Sequence, residues 1–197
     1  MPYDYKPFAY IPPPGLTGAE PRHKMVIVGA GPIGLAMAIE LANHGVSAVV
    51  LDDNNVVSVG SRAICWSKRS LEILDRLGVG ERSVTKGVTW KVARTFHREA
   101  EVFNFDLLPE DGHKMPAFVN LQQYYVEEYL VERAQEVGVD LRWKNKVVAV
   151  DRHARHAVLT VQTPDGDYQL EADWVIACDG ARSPIRAMLD LEFEGEL

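Results

Sequence analysis

The amino-acid sequence predicts an α/β fold in which a parallel sheet is combined with an antiparallel β-meander. An apolar run, a helical segment and a second apolar run follow one another within residues 24–51. Two strands joined by a helix over so few residues are typical of a parallel sheet. Residues 139–170 then contain closely spaced strand-like runs separated by polar turns, which is the pattern of a meander.

Composition narrows the class of protein. The 197 residues carry a net charge of −7 and are 47% hydrophobic, as in an ordinary globular domain. The acidic balance argues weakly against nucleic-acid or anionic-membrane partners, and no apolar run approaches the ~18 residues of a membrane-spanning helix. The N-terminus lacks the cationic start and apolar stretch of a secretory signal. We therefore expect a cytoplasmic protein without a nucleic-acid or membrane partner.

The first quarter of the chain holds a leader and the β-α-β unit. Residues 1–22 are rich in Pro and Gly and lack periodicity, which predicts an extended or disordered leader. Residues 24–28 predict a strand buried on both faces. A helix follows over Pro32–His44, with Gly45 as its stop, and residues 47–51 form the second strand.

The rest of the chain alternates short strands and helices. We expect strands at 63–66, 117–120, 139–150, 157–163, 168–170 and 173–178, two antiparallel strands within 88–105, helices at 67–77 and about 122–136, a hairpin turn at 164–167, and a short helix opened by Pro184. The aromatic residues between 90 and 125 are interpreted as core rather than as a substrate pocket. The last residues, 191–197, look like the start of another strand.

The strongest motif is Gly29-Ala30-Gly31-Pro32-Ile33-Gly34, which leaves the first strand and opens the helix. In a Rossmann-like fold the first glycine allows the tight turn, the second lets a pyrophosphate approach the backbone, and the third lets helix and strand pack closely. The helix N-terminus offers N–H groups and partial positive charge to phosphates.

An acid stands where such a motif requires one. Asp52, with Asp53 beside it, ends the second strand a little over ~20 residues after the glycines, where a carboxylate accepts hydrogen bonds from ribose hydroxyls. A carboxylate there disfavours NADP at this site. The glycine motif alone does not separate FAD from NAD.

A second motif favours FAD over NAD as the bound cofactor. The stretch Trp174–Arg186 reads Trp-Val-Ile-Ala-Cys-Asp-Gly-Ala-Arg-Ser-Pro-Ile-Arg. With the glycine motif at this separation, it resembles the class A FAD-dependent aromatic monooxygenases, the para-hydroxybenzoate hydroxylase fold, and more narrowly the phenol and 3-(3-hydroxyphenyl)propionate hydroxylase branch. The resemblance covers residues 24–197.

The resemblance implies roles for single residues. It assigns the ADP part of FAD to the glycine motif and Asp52, and a cofactor contact to Arg62 and Ala63, with a solvated surface charge as the alternative for Arg62. It assigns the phosphate or ribityl region to Gln123, with Gln122 as a rival. Further, it places the backbone of Val147 towards the adenine; the alternative is a plain core valine. Asp179 and Gly180 would serve the ribityl side and the use of NAD(P)H; the alternative for Asp179 is a strand-end cap.

The resemblance also implies a reaction and a missing part. The parent enzyme would hydroxylate a small phenol-like aromatic with NAD(P)H and O2. The alternatives are another FAD oxidoreductase on this scaffold or a non-catalytic nucleotide-binding fragment. The family carries a further Gly-Asp motif beyond the substrate domain, a region that we do not find in this sequence, so we assign no catalytic residue. We expect a leader at 1–22, an FAD-binding domain at 23–190, and the start of a truncated substrate domain at 191–197. The chain alone would then not hydroxylate and would bind FAD weakly or not at all, and a homo-dimer or other self-association is expected.

Cysteine and histidine patterns add little chemistry. Cys65 and Cys178 both lie in apolar, strand-like contexts, which favours reduced, buried thiols; a disulfide or reactive thiol is the alternative. None of the six histidines has metal-ligand spacing with a cysteine or acid, so no metal site is predicted.

Overall fold

The computed structural model describes residues 3–60 and 62–195. Ser61 and the last two residues of the predicted terminal segment lie outside the described residues. The chain divides into two compact units. We call Met1–Val59 with Leu130–Leu197 the sheet unit, and Gly60–Tyr129 the middle unit.

The secondary structure follows the predicted order closely. After a short 3-10 helix at Pro14–Leu16, the elements are β1 (His23–Val28), α1 (Pro32–Asn43), β2 (Ala48–Asp52), β3 (Cys65–Ser67), α2 (Lys68–Arg76), α3 (Gly80–Lys86), β4 (Val88–Trp90), β5 (Val92–His97), β6 (Ala100–Asp106), β7 (Phe118–Asn120), α4 (Gln123–Glu136), β8 (Asp140–Trp143), β9 (Lys146–Arg152), β10 (Ala157–Thr163), β11 (Gly166–Ala177) and α5 (Pro184–Met188). No helix in the described part of the chain is long and apolar enough to cross a membrane.

The sheet unit contains one six-stranded sheet in the order β8-β2-β1-β11-β10-β9. Strands β8, β2, β1 and β11 run parallel, whereas β11, β10 and β9 are antiparallel. The predicted parallel sheet with a meander is therefore confirmed. The strands predicted at 168–170 and 173–178 form one strand, β11, which ends at Ala177, one residue before the predicted end. They are continuous because no turn residue interrupts them. Ala172 pairs antiparallel with Ala157 on one side and parallel with His23 on the other.

Side chains of the sheet alternate between two buried clusters, as the period of a strand requires. From β1, Val26 joins a cluster with Leu51, Leu159 and Leu170, whereas the neighbouring Ile27 packs in a second cluster that includes Ala38 of α1. Burial on both faces explains why these strands read as continuous apolar runs.

The middle unit contains a three-stranded sheet, β3-β7-β4, and the two-stranded sheet β5-β6. Ser67, predicted as the first helical residue, precedes α2 and caps it by accepting a hydrogen bond from the N–H of Ser70. Helix α3 was not predicted, because its Gly-Glu-Arg-Ser-Val-Thr-Lys sequence has no apolar period, and its Gly, Ser, Val and Thr residues are weak helix formers. The interpretation of the aromatic residues as core is wrong for the β5-β6 hairpin: Phe96, Phe103 and Phe105 are exposed.

Candidate functional site

The turn between β1 and α1 needs glycine at two positions for packing reasons. Gly29 has φ +105°, and a Cβ there would lie 2.4 Å from the carbonyl oxygen of Cys178. A Cβ on Gly34 would lie 1.9 Å from the carbonyl oxygen of Gly29. Only hydrogen side chains allow helix α1 and strands β1 and β11 to approach so closely.

Gly31 differs from its two neighbours in the motif. Its backbone is extended (φ −75°), and a Cβ there would meet nothing within 4 Å. The fold itself therefore does not require glycine at 31. Gly31 is the N-cap of the 12-residue helix α1 and offers no side chain to cap it. Pro32 and Ile33 open the helix, and Ile33 is 71% exposed. An uncapped helix N-terminus facing open space fits a phosphate group.

Asp52 lies next to this turn, at the end of β2. One carboxylate oxygen accepts a hydrogen bond from the N–H of Ala30 (2.6 Å), and the other accepts from the N–H of Asn54 (2.8 Å). Its own carbonyl accepts from the N–H of Asn145 (2.8 Å). The carboxylate is thus held in one orientation beside the glycine turn. Since each carboxylate oxygen can accept two bonds, a ribose hydroxyl can share them.

Asp53 is placed differently from Asp52. It is exposed, and its carboxylate accepts a bond from the Asn54 side chain at 2.9 Å. The roles of Ala30 and Asn54 were not foreseen. The Asp52-Asp53-Asn54 stretch after a strand carries the signal, since an Asp that accepts from the N–H two residues on forms an Asx-turn.

Asp179 and Gly180 follow β11 and lie against the same turn. The N–H of Cys178 donates to the carbonyl of Val28 at 2.7 Å. Asp179 accepts bonds from the Ser183 hydroxyl (2.7 Å) and the Ile185 N–H (3.0 Å). These bonds connect Asp179 to the start of α5. Gly180 has φ +88°, which favours glycine.

The two cysteines differ in exposure. Cys178 is half-buried, and burial, followed by the nearby Asp179 charge, raises the pKa of its thiol. Cys65 is exposed, so the expectation that it is buried is wrong. Both are free thiols. Within residues 3–60 and 62–195, no group of three or more His, Cys, Asp or Glu side chains is arranged to hold a metal ion.

Val147 has a buried side chain, 6% exposed, in the core cluster with Leu159 and Val161. The core alternative therefore describes its side chain. The backbone of β9 is irregular here: Val147 pairs with Val161 while Ala149 pairs with Thr160, which leaves Val148 in a bulge. A bulge redirects backbone groups locally.

In the middle unit, the predicted residues Ala63 and Gln123 come together. The N–H of Ala63 donates to the Gln123 side chain (3.2 Å), and the N–H of Gln123 donates to the Ala63 carbonyl (3.1 Å). Gln123 also donates to the buried Glu127 at 2.6 Å. Gln123 rather than its rival Gln122 is thus the first residue of α4 and is bonded to Ala63. Arg62 is exposed.

This geometry defines a dinucleotide-binding α/β domain, and comparison with known proteins gives its family. The FAD binding domain family model matches residues 22–197, so the chain belongs to that family. This confirms the predicted cofactor, FAD, and the predicted fold class.

Individual relatives agree. The para-nitrophenol 4-monooxygenase of Pseudomonas sp. (strain WBC-3) is 30% identical over 175 residues, which cover 87% of this chain and 43% of that protein. A 3-(3-hydroxy-phenyl)propionate/3-hydroxycinnamic acid hydroxylase of Burkholderia vietnamiensis is 32% identical, covering 88% of this chain and 32% of that protein. The crystal structure of p-nitrophenol 4-monooxygenase from Pseudomonas putida DLL-E4 matches with a TM-score of 0.82 and 31% identity, over 89% of this chain and 45% of that one. The predicted resemblance to aromatic FAD-dependent monooxygenases is confirmed, and the chain spans less than half the length of these relatives.

Proposed function

We propose that this chain is the FAD-binding part of a monooxygenase that hydroxylates a small phenol-like aromatic with NAD(P)H and O2. The observation that carries the proposal is the open helix N-terminus at Gly31 beside the oriented carboxylate of Asp52. The names of the relatives, which act on nitrophenol and on hydroxyphenylpropionate, support the substrate class. Bound FAD would supply the redox and oxygen chemistry, while the protein supplies binding and orientation.

Within the sheet unit, each residue has a proposed task. The N–H groups at the start of α1 hold the pyrophosphate, Asp52 accepts from the adenosine ribose, and the backbone at Val147 adjoins the adenine. Asp179 and Gly180 serve the ribityl side of FAD and the use of NAD(P)H, and Asp179 also holds the start of α5 through its bond from Ile185. In the middle unit, Arg62 and the bonded pair Ala63–Gln123 are retained as proposed cofactor contacts.

The proposed division of the chain follows the same reading. We propose a leader at 1–22, an FAD-binding domain at 23–190, and the start of a substrate domain at 191–197. The two free cysteines support a reducing, cytoplasmic setting. We expect the 197-residue chain alone to be inactive and to bind FAD weakly or not at all, and a full-length parent protein to bind FAD tightly.

Two experiments test this. Gly31→Ala should abolish binding of FAD and of ADP, titrated by flavin fluorescence and calorimetry, without lowering stability. Gly18→Ala is the matched control, since a Cβ at Gly18 also meets nothing within 4 Å. If both variants bind equally well, the glycine turn is not the phosphate site.

In the full-length protein, NADH and NADPH oxidation should rise on addition of para-nitrophenol or 3-(3-hydroxyphenyl)propionate. Failure of a wide panel of phenols to stimulate it would contradict the monooxygenase proposal.

A further inference from the structure

The described part of the leader, residues 3–22, lies almost wholly outside the family match, which begins at residue 22. It nevertheless contacts the loop that follows Asp52 in the proposed nucleotide site. We propose that the leader is a strap that fixes the carboxylate of Asp52 for nucleotide binding, with Phe8 and Glu20 as its two positioning residues. The proposal rests on the proposed role of Asp52. Every contact that carries it lies within the sheet unit.

The first connection runs through Phe8. Its N–H donates to the carbonyl of Asn55 at 2.7 Å, and the Asn55 side chain donates back to the carbonyl of Phe8 at 3.0 Å. The Phe8 ring stacks on Trp143, with ring centroids 4.5 Å apart and planes at 17°. Trp143 is itself buried and pairs with Asp52 across β2 and β8. Phe8 thus holds the loop after Asp52 and the strand beside it.

The second connection is a chain of buried polar groups that starts at Glu20. Arg142 donates to the Glu20 carboxylate at 2.9 Å and to the Tyr168 hydroxyl at 3.4 Å. Tyr168 donates to the side chain of Asn145 at 2.8 Å, and the N–H of Asn145 donates to the carbonyl of Asp52 at 2.8 Å. The side chains of Glu20 and Arg142 are only 2% and 8% exposed.

Burial of these charges points to a positioning role rather than to simple packing. Charges removed from water are costly unless paired, and apolar residues of similar size would stabilise a fold as well. Glu20 is also bonded by Gly15 and His23, and Arg142 also donates to Asp140. Through Tyr168 and Asn145 the pair is connected to the carbonyl of Asp52, and a buried network with its hydrogen bonds satisfied fixes a geometry. Both connections end on residues 52–55, the turn that contains Asp52 and Asn54.

The carboxylate of Asp52 has two built-in reporters. The N–H groups of Ala30 and Asn54 each donate to one of its oxygens. If the strap positions Asp52, loosening the leader must change these two amides even without ligand, and must weaken nucleotide binding. A leader that only stabilises the fold would lower the unfolding temperature and leave both amides unchanged.

The test uses the full 197-residue chain, labelled with nitrogen-15 and titrated with ADP. We expect Phe8→Ala and Glu20→Gln each to shift the Ala30 and Asn54 amide signals, to speed their hydrogen exchange, and to weaken ADP binding about fivefold or more. Phe8→Tyr retains the stacking on Trp143 and should restore both readouts. Tyr10→Phe is the matched leader control, because the Tyr10 hydroxyl interacts with Thr163 and Asp165 and lies on neither connection.

The outcomes separate this proposal from the one on which it rests. If Gly31→Ala abolishes ADP binding while Phe8→Ala and Glu20→Gln leave folded protein with unchanged amides and affinity, the strap is overturned and the nucleotide site stands. If the unaltered chain shows no ADP response at the glycine turn, the nucleotide site fails, and the two amides in the ligand-free variants decide the strap alone. Should Phe8→Ala not fold, Glu20→Gln carries the test. Equal shifts in Tyr10→Phe would also overturn the proposal.

Discussion

Two hairpins of this chain have the same local pattern and opposite surroundings. The β10-β11 hairpin buries Leu159, Val161 and Leu170 completely. In the β5-β6 hairpin every residue except Ala93 is exposed, and Phe103, on the same face as Phe105, is 58% exposed. Alternating side chains predicted both pairs of strands correctly. They did not predict burial, because burial depends on which elements pack against a strand and not on its own sequence.

The energetic consequence is that the two hairpins should differ in how much their side chains matter. An isolated two-stranded sheet is marginally stable in water. The ion pairs on β5-β6, Arg94–Glu101 and Lys91–Asp106, are exposed, and such pairs contribute little. Substitutions should therefore be severe in the sheet unit and mild in the β5-β6 hairpin.

The largest loss of stability is expected at the glycine turn between β1 and α1 in the sheet unit. Gly34→Val would push side-chain atoms into the carbonyl of Gly29, where even a Cβ would lie 1.9 Å away. Because the obstacle is backbone, we expect a loss of about 4 kcal/mol or more in the free energy of unfolding, measured by urea denaturation. Gly31→Ala, in open space, should stay within about 0.5 kcal/mol of the original chain. Equal losses in the two variants would contradict the packing argument.

A somewhat smaller loss is expected when the buried charge network is broken. Arg142→Met would leave the Glu20 carboxylate, 2% exposed, without its strongest partner. Removing one member of a buried ion pair lowers the free energy of unfolding by about 3 kcal/mol. We expect a loss of this size in Arg142→Met, measured by urea denaturation. Arg94→Met is the control, because its pair with Glu101 lies on the exposed hairpin. A loss in Arg142→Met no larger than in Arg94→Met would show that burial does not set the cost.

The features that could be predicted from sequence are those set by local residues, and the features that could not are set by distant packing partners. The β-α-β unit, the glycine turn and Asp52 were predictable, because strand burial, helix start and turn conformation are local consequences of these residues. The strap was not. Pro and Gly without periodicity at 1–22 indicate only an extended leader, and the contacts of Phe8 with Trp143 and of Glu20 with Arg142 join residues more than a hundred positions apart. Nothing local encodes such pairs.

A third and smaller effect is expected on the pH dependence of folding stability, through the carboxylate of Glu20. Burial alone would raise the pKa of Glu20, but hydrogen bonds from Arg142 and His23 outweigh it and lower the pKa below its ordinary value of 4.5. The unfolded chain therefore takes up this proton more readily than the folded chain. Glu20 stabilises the fold above about pH 4.5, and this contribution is lost as the pH falls through the lower, folded-state pKa.

The corresponding experiment compares unfolding free energies of the original chain and Glu20→Gln between pH 7 and pH 3. The variant should be less stable by about 1–2 kcal/mol at neutral pH, and the difference should shrink at the acid end. A difference that stays constant across this range would show that the carboxylate charge does not matter.

The smallest effect on stability is expected in the β5-β6 hairpin. Phe103→Ser should change the free energy of unfolding by no more than about 0.5 kcal/mol, because the side chain is already 58% exposed. Leu170→Ala in the buried hairpin, as its counterpart, should lower the free energy of unfolding by about 2–5 kcal/mol.

The exposed aromatic face does have a predicted consequence of another kind, since contiguous apolar surface favours association. Sedimentation at rising concentration should show self-association in the original chain and less of it in Phe103→Ser. A large loss of stability in Phe103→Ser would mean that the hairpin is buried in solution, and the contrast between the two hairpins would then fail.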